Sequence, residues 1–222
     1  MMDQDTAPHA TAATRALDRN VLGRTAAHLY ERYADVVDRE TVDRIVQESY
    51  EELDRTAAVK TYLTASAGNF ADHRLRSIAI ARGAIESTSP RVLFVDDANA
   101  GRSQMAASLV LKHSAGLVTA RSAGVEPGGR IYDTALEAMD EVGVSLEHAY
   151  PKPLSADVHE AAQFVITLAC ADQVQRMEGK DYRDWDIPSL EGKPLEEVRR
   201  VRDELEARVQ ELIREIGPDA EA

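Results

Sequence analysis

The segment that most constrains the fold of this chain is residues 92–105, which read VLFVDDANAGRSQM. The apolar run 92–95 predicts a buried strand, small residues then predict a turn, and Arg102-Ser103 begins a predicted helix. In such a strand–turn–helix, backbone N–H groups of the turn and the helix N-terminus converge on one point, where they favour an anion. The candidate oxyanion-binding loop, closed by an arginine, consists of Asp96, Asp97, Ala98, Asn99, Ala100, Gly101, Arg102 and Ser103.

Alternating strand and helix patterns continue to the end of the chain. Strands are predicted at 92–95, 117–121 and 164–168, with a weaker one at 185–187. Helices are predicted at 104–113, 132–142, 156–162 and 195–216. The alternation indicates an α/β fold over residues 91–217, with a four-stranded parallel sheet flanked by helices.

The segment before this domain has helical periodicity and no strand pattern. Residues 18–86 predict a small three-helix domain in which Asp38 precedes the second helix and Gly68-Asn69 separates the second helix from the third. Residues 1–17 are interpreted as a disordered tail, residues 218–222 as a tail, and residues 87–90 as a polar linker. Three short helices bury little apolar surface by themselves. We therefore expect a homodimer or a heterodimer formed through residues 18–86, although packing on the chain's own second domain would also cover the helices.

Several motifs in one order resemble a known enzyme family. The loop ends in Asn99-Ala100-Gly101-Arg102-Ser103-Gln104-Met105, and Ser122-Ala123-Gly124 and Pro151-Lys152-Pro153-Leu154 follow it. This pattern resembles the low-molecular-weight protein tyrosine phosphatase and thioredoxin-type arsenate reductase superfamily. The resemblance implies a phosphate- or arsenate-like oxyanion as ligand. The helical segment is similar to the three-helix domain of some actinobacterial members, and that similarity implies dimerisation.

The departures from the family pattern fall on its reactive groups. Asp96 stands where the family has its nucleophilic cysteine, and Ser189 stands where the family has its general-acid aspartate. Cys170 matches one redox cysteine of the thioredoxin-coupled reductases, whereas the other redox position holds Val174. A thiol relay needs two sulfurs that can meet, and a serine hydroxyl is too weak an acid to protonate a leaving group.

The aspartate also changes the electrostatics of the loop. A carboxylate at position 96 would repel an incoming oxyanion by about 4 kcal/mol at roughly 4 Å and an effective dielectric near 20. We expect Asp96 to fill the loop instead, by accepting its N–H bonds and pairing with Arg102.

These departures leave three functions open. The first is a catalytically degenerate homologue that acts by binding or dimerisation, for example by regulating an active paralogue. The second is an arsenate reductase or phosphatase with residual activity or with metal-assisted chemistry at Asp96. The third is an oxyanion sensor.

Composition excludes several other classes. The net charge of −13 repels nucleic acid phosphates and anionic lipid, so neither nucleic acid nor a membrane is an expected partner. Residues 1–15 lack the pattern of a signal peptide, and a cytoplasmic location is expected. The six histidines show no metal-ligand spacing, and no metal or cofactor is predicted.

Overall fold

The computed structural model describes residues 12–217, with side chains from residue 16 onward. The chain begins with three helices, α1 (Ala12–Tyr33), α2 (Arg39–Thr56) and α3 (Leu63–Ala81). Since α1 begins at Ala12, residues 12–17 of the predicted disordered tail are helical, in keeping with the high helix propensity of alanine. Residues 1–11 and 218–222, the rest of the two predicted tails, lie outside the described residues.

The helix boundaries depend on local signals of unequal strength. Asp38 caps α2 as predicted, because its carboxylate accepts a hydrogen bond from the Thr41 N–H at 2.7 Å. The predicted break at Gly68-Asn69 is wrong, since α3 continues through both residues. A Cβ at Gly68 would lie 3.0 Å from Cγ2 of Thr25 on α1. Gly68 therefore serves the close approach of two helices and not a turn.

The second part of the chain forms the predicted parallel sheet. Its strands are β1 (Arg91–Asp96), β2 (Thr119–Gly124), β3 (Phe164–Leu168) and β4 (Asp181–Trp185). Its helices are α4 (Arg102–Ser114), α5 (Asp133–Asp140), α6 (Ala156–Ala161) and α7 (Leu195–Ile216), with a 3-10 turn at Ala171–Gln173. The strand order is β2-β1-β3-β4 and all pairs are parallel, so the predicted fold class is confirmed.

The predicted and observed strand bounds differ most where the sequence of the strand is least apolar. The predicted strand at 185–187 is wrong in its bounds, because β4 ends at Trp185 and begins at Asp181. β4 is an edge strand paired on one side only, so its sequence DYRDW lacks the apolar run of a buried strand. The strand predicted at 117–121 begins two residues later, at Thr119, and continues to Gly124.

The helical domain packs on the α/β domain through a buried ion pair. Nε of Arg74 on α3 lies 2.8 Å from Oδ2 of Asp157 on α6, and both side chains are almost fully buried. Nη2 of the same arginine lies 3.0 Å from Oε2 of Glu48 on α2. The ion pair links α2, α3 and α6. No helix within residues 12–217 has the length and apolar character that a membrane crossing requires.

Candidate functional site

The candidate site lies where β1 ends and α4 begins. β1 is flanked by β2 and β3, so its end reaches the carboxyl edge of the sheet in the interior of the domain. Asp96 is the last residue of β1 and is only 2% exposed. A carboxylate buried to this degree needs hydrogen-bond donors to compensate for its lost hydration.

The loop itself supplies these donors. The backbone N–H of Asn99 donates to Oδ1 of Asp96 at 2.6 Å, and that of Ser103 donates to Oδ2 at 3.0 Å. Nε of Arg102 lies 3.9 Å from the same Oδ2 atom. The Ser103 N–H belongs to the first turn of α4, where N–H groups have no helical partner and the helix dipole favours negative charge. The Asp96 carboxylate therefore accepts two of the N–H groups of the loop, one of them at the N-terminus of α4.

Two opposing effects act on the pKa of the Asp96 carboxyl. Burial is the larger and raises this pKa above its ordinary value. The hydrogen bonds from Ser103 and Asn99 and the charge of Arg102 lower it without cancelling the effect of burial.

Arg102 is held in place by groups other than a ligand. Its Nη1 donates to the carbonyl oxygen of Ile187 at 2.7 Å, and its Nη2 donates to Oδ2 of Asp97 at 3.1 Å. Nε2 of Gln173 donates to the other oxygen of Asp97 at 3.1 Å. The Arg102 side chain is 5% exposed. These contacts leave a small cavity of about 70 Å³ above the loop, partly lined by Tyr132.

Asn99 fixes the shape of the loop. Its φ of 48° lies in the left-handed region, which asparagine tolerates better than most residues. Its Nδ2 donates to Oγ of Ser103 at 2.9 Å, and its Oδ1 accepts from Nε2 of Gln104 at 2.8 Å. The backbone N–H of Lys152 donates to the same Oδ1 atom at 3.0 Å. The Asn99 side chain therefore ties the loop to α4 and to a segment some 50 residues away.

Lys152 lies beneath the loop and was given no role by the sequence. Its Nζ donates to Oγ of Ser122 at 3.0 Å and lies 3.3 Å from Oδ1 of Asn99. Burial, followed by the charge of Arg121, lowers the pKa of Lys152 to about 7, although the Asp96 carboxylate opposes this shift. The motif Pro151-Lys152-Pro153 was the sequence signal for this residue, but its position under the loop depends on tertiary contacts.

Gly124, at the end of β2, lets the neighbouring strand approach the loop. A Cβ on this glycine would lie 2.9 Å from the backbone N of Asn99 and 3.0 Å from the carbonyl carbon of Ala98. Real Cβ atoms do not come this close to backbone, so the loop requires glycine at this position. The loop is thus supported from β2 as well as from β1.

The other predicted site residues lie at different depths. Ser189 is exposed and lines the small cavity above the loop together with Leu190 and Glu191, the last of which the sequence did not indicate. Cys170 is fully buried, and its Sγ lies 3.4 Å from the carbonyl oxygen of Val95. Burial raises the pKa of this thiol to about 11. Val174 packs in the same apolar cluster as Cys170. Within residues 12–217, no group of three histidine, cysteine or acidic side chains is arranged to hold a metal ion.

Comparisons with known proteins extend over both domains. Residues 91–222 match the family model described as low molecular weight phosphotyrosine protein phosphatase. Residues 22–79 match the protein-tyrosine-phosphatase-like N-terminal domain. A solved structure of a thioredoxin-dependent arsenate reductase from Corynebacterium glutamicum is 40% identical, with a TM-score of 0.81 over 89% of this chain and 96% of that one.

Other relatives match a smaller share of this chain. A glutaredoxin arsenate reductase from Synechocystis is 30% identical over 57% of this chain and 98% of its own. A structure of a YwlE arginine phosphatase mutant, with a phosphorylated active-site serine, is 26% identical with a TM-score of 0.52. It covers 59% of this chain and 98% of that one.

Proposed function

Because the chain belongs to the low molecular weight phosphotyrosine protein phosphatase family, we propose that it is a non-catalytic member of that family, acting through binding. Its oxyanion loop is closed by its own Asp96, and its helical domain binds a protein partner. The partner is a second copy of this chain or a paralogue with the same N-terminal domain.

The observation that carries this proposal is the position of the Asp96 carboxylate. It accepts the N–H bonds of Asn99 and Ser103 and lies 3.9 Å from Nε of Arg102, so two N–H groups and the cation that would bind a phosphate or arsenate already have a partner. A second anion in the same place would have to displace this carboxylate or bear its repulsion. The loop thus keeps the sequence pattern of the family, but its own aspartate accepts hydrogen bonds that an oxyanion would otherwise accept.

The surroundings of the loop also argue against thiol chemistry. The chain has one cysteine, and burial keeps its thiol protonated at neutral pH, whereas the thiolate is the reactive form. The exposed Ser189 hydroxyl has no acidity suited to protonating a leaving group. Neither a disulfide relay nor general-acid assistance is available from these residues.

The activity assay follows from this arrangement. The purified protein should hydrolyse no aryl phosphate and reduce no arsenate with thioredoxin or mycothiol as the reductant. The Arg102→Ala variant is the matched control, because it removes the cation of the loop. Turnover above buffer that disappears in Arg102→Ala would show that the loop is catalytic and would refute the proposal.

The helical domain provides the second part of the proposal. Among the described residues of the helical domain, Leu17 on α1 is a large apolar side chain that is 61% exposed. Burying such a side chain against a second copy would favour association through this domain.

The oligomeric state tests this part in the full-length chain. Sedimentation equilibrium should report a dimer for the native protein and a monomer for Leu17→Glu, since Leu17 on α1 is 61% exposed. The control is Leu111→Glu on α4, where the leucine is 54% exposed, and it should remain a dimer. A native monomer, or dissociation caused by the control alone, would rule out self-association through the helical domain.

One comparison favours a second candidate function. The phosphorylated serine of the YwlE arginine phosphatase mutant shows that an oxygen atom in that protein's active site can carry a phosphoryl group. In this chain the corresponding oxygen nucleophile would be Asp96. Its carboxylate would attack the phosphorus of acetyl phosphate, form an acyl phosphate and release acetate. Incubation with acetyl phosphate followed by intact-mass measurement tests this candidate. An added phosphoryl mass that Asp96→Ala abolishes would favour it over the non-catalytic function.

A further inference from the structure

A cavity of about 520 Å³ lies between the helical domain and the α/β domain. One wall comes from the end of α2, the connection to α3 and the first turns of α3. The opposite wall comes from residues 128–136 and 146–151. Pockets for small molecules commonly measure about 300–1,000 Å³ and occur at domain interfaces. The volume and position of this cavity fit that class of site.

The walls of the cavity are mainly apolar. Their larger apolar side chains are Leu53, Val59, Leu63, Ile131, Leu136 and Leu146. Nη2 of Arg130 lies 3.1 Å from Oδ2 of Asp133, so this pair adds no net charge to the wall. Glu147 and His148 are exposed and remain solvated. An uncharged ligand suits this surface, because the charged groups on the wall are either paired with each other or exposed to water.

The cavity shares a wall with the oxyanion loop. The N–H of Gly128 donates to the carbonyl oxygen of Ala98 at 2.7 Å, and the N–H of Tyr132 donates to that of Ala100 at 2.9 Å. The helical domain holds the same segment, since the N–H of Ala58 donates to the carbonyl oxygen of Gly129 at 2.9 Å. Residues 126–132 therefore lie between the cavity and the loop and are bonded on both sides.

We propose that this cavity binds an uncharged, mainly apolar small molecule and that its occupation restrains the oxyanion loop through residues 126–132. The ligand would contact both domains and so favour the arrangement in which Ala58 is bonded to Gly129. By linkage, a ligand that prefers this arrangement stabilises the loop hydrogen bonds that depend on it. The inference holds whether or not the loop is catalytic.

Binding of Nile red, an uncharged dye that fluoresces in apolar surroundings, tests the site in the full-length protein. The dye should show a saturable, blue-shifted increase in fluorescence. Ala65→Trp should weaken binding by about tenfold or more, equivalent to at least about 1.4 kcal/mol. Ala65 is an exposed residue of α3 on the cavity wall, so a tryptophan there occupies the cavity without disturbing the core.

The matched control is Ala207→Trp, an exposed alanine on α7 that lies outside the cavity wall and should leave dye binding unchanged. Hydrogen exchange measures the link to the loop. The amides of Gly128 and Tyr132, which donate to loop carbonyls, should exchange more slowly when the dye is bound.

Three results would overturn the proposal. The first is unchanged dye affinity in Ala65→Trp, and the second is unchanged exchange at Gly128 and Tyr132 in the saturated complex. The third is a change of oligomeric state in Ala65→Trp, which would show that a second copy of the chain covers the cavity. Because dye binding needs no phosphate and no turnover, none of these results depends on the proposed role of Asp96.

Discussion

Replacing Asp96 with alanine should let the oxyanion loop bind a free anion in place of its own carboxylate. The native carboxylate accepts from Asn99 N at 2.6 Å and from Ser103 N at 3.0 Å and lies 3.9 Å from Nε of Arg102. In Asp96→Ala these donors lose their acceptor while the loop backbone stays bonded to its neighbours. A phosphate ion carries the oxygens and the charge that the vacated position needs.

Coulomb's law gives the size of the effect. A phosphate bound at the loop roughly 4 Å from the native carboxylate would be repelled by about 4 kcal/mol per pair of like charges at an effective dielectric near 20. That energy corresponds to about a thousandfold in dissociation constant. We expect a gain of about a hundredfold to a thousandfold in phosphate affinity when this repulsion is removed.

Calorimetric titration with phosphate measures this gain directly. The control Asp172→Ala removes an exposed carboxylate outside the loop and should bind phosphate as weakly as the native protein. Thermal unfolding gives a second readout, because each unpaired buried N–H costs about 1–3 kcal/mol, and bound phosphate should recover part of this loss. Asp96→Ser retains a hydroxyl acceptor if the alanine variant does not fold. Native protein that binds phosphate as tightly as either variant would refute the reasoning and favour an oxyanion sensor.

Three further predictions concern the residues that support the loop and the absence of a nucleophilic cysteine and a general acid from positions 96 and 189. Gly124→Ala should destabilise the protein by about 1–3 kcal/mol, because the new Cβ meets the backbone of the loop. Gly23→Ala is the control: a Cβ there has no atom within 4 Å, and the change should stabilise α1 by up to about 1 kcal/mol. Chemical denaturation measures both free energies of unfolding, and equal effects would contradict the predicted clash. The pKa of Lys152 is about 7 in the folded protein and 10.5 ordinarily. Between pH 7 and pH 10.5 the lysine is therefore protonated in the unfolded chain and neutral in the folded one. The unfolding free energy should therefore rise by about 1.4 kcal/mol per unit from pH 7 to about 9.5 and be flatter in Lys152→Met. A native profile with the slope of Lys152→Met would contradict that burial. Asp96→Cys should hydrolyse an aryl phosphate weakly at most. Adding Ser189→Asp should increase the rate of hydrolysis by at least about 10²-fold, the usual effect of a general acid. Equal rates for the single and double variants in a steady-state assay would show that Ser189 does not occupy the acid position.

The local pattern of the sequence was sufficient for most of the architecture. Apolar runs located β1 and β3, and the apolar stripe of α7 gave its bounds as Leu195–Ile216. These predictions held because strand and helix periodicities are set by burial of one face, which the sequence records directly. The same reasoning failed at Gly68, since glycine marks both turns and close helix contacts, and only the neighbouring helix distinguishes the two.

The sequence by itself also determined that position 96 holds an aspartate and position 189 a serine, because the identity of a residue needs no structure. Only the tertiary structure decided what the loop contains. Asn99 is bonded to Gln104 within the same segment but also to Lys152, which comes from a distant part of the chain. The interdomain cavity likewise depends on two domains meeting across residues 126–132. Such contacts join residues that are far apart in sequence, and their geometry is fixed by packing rather than by any local period.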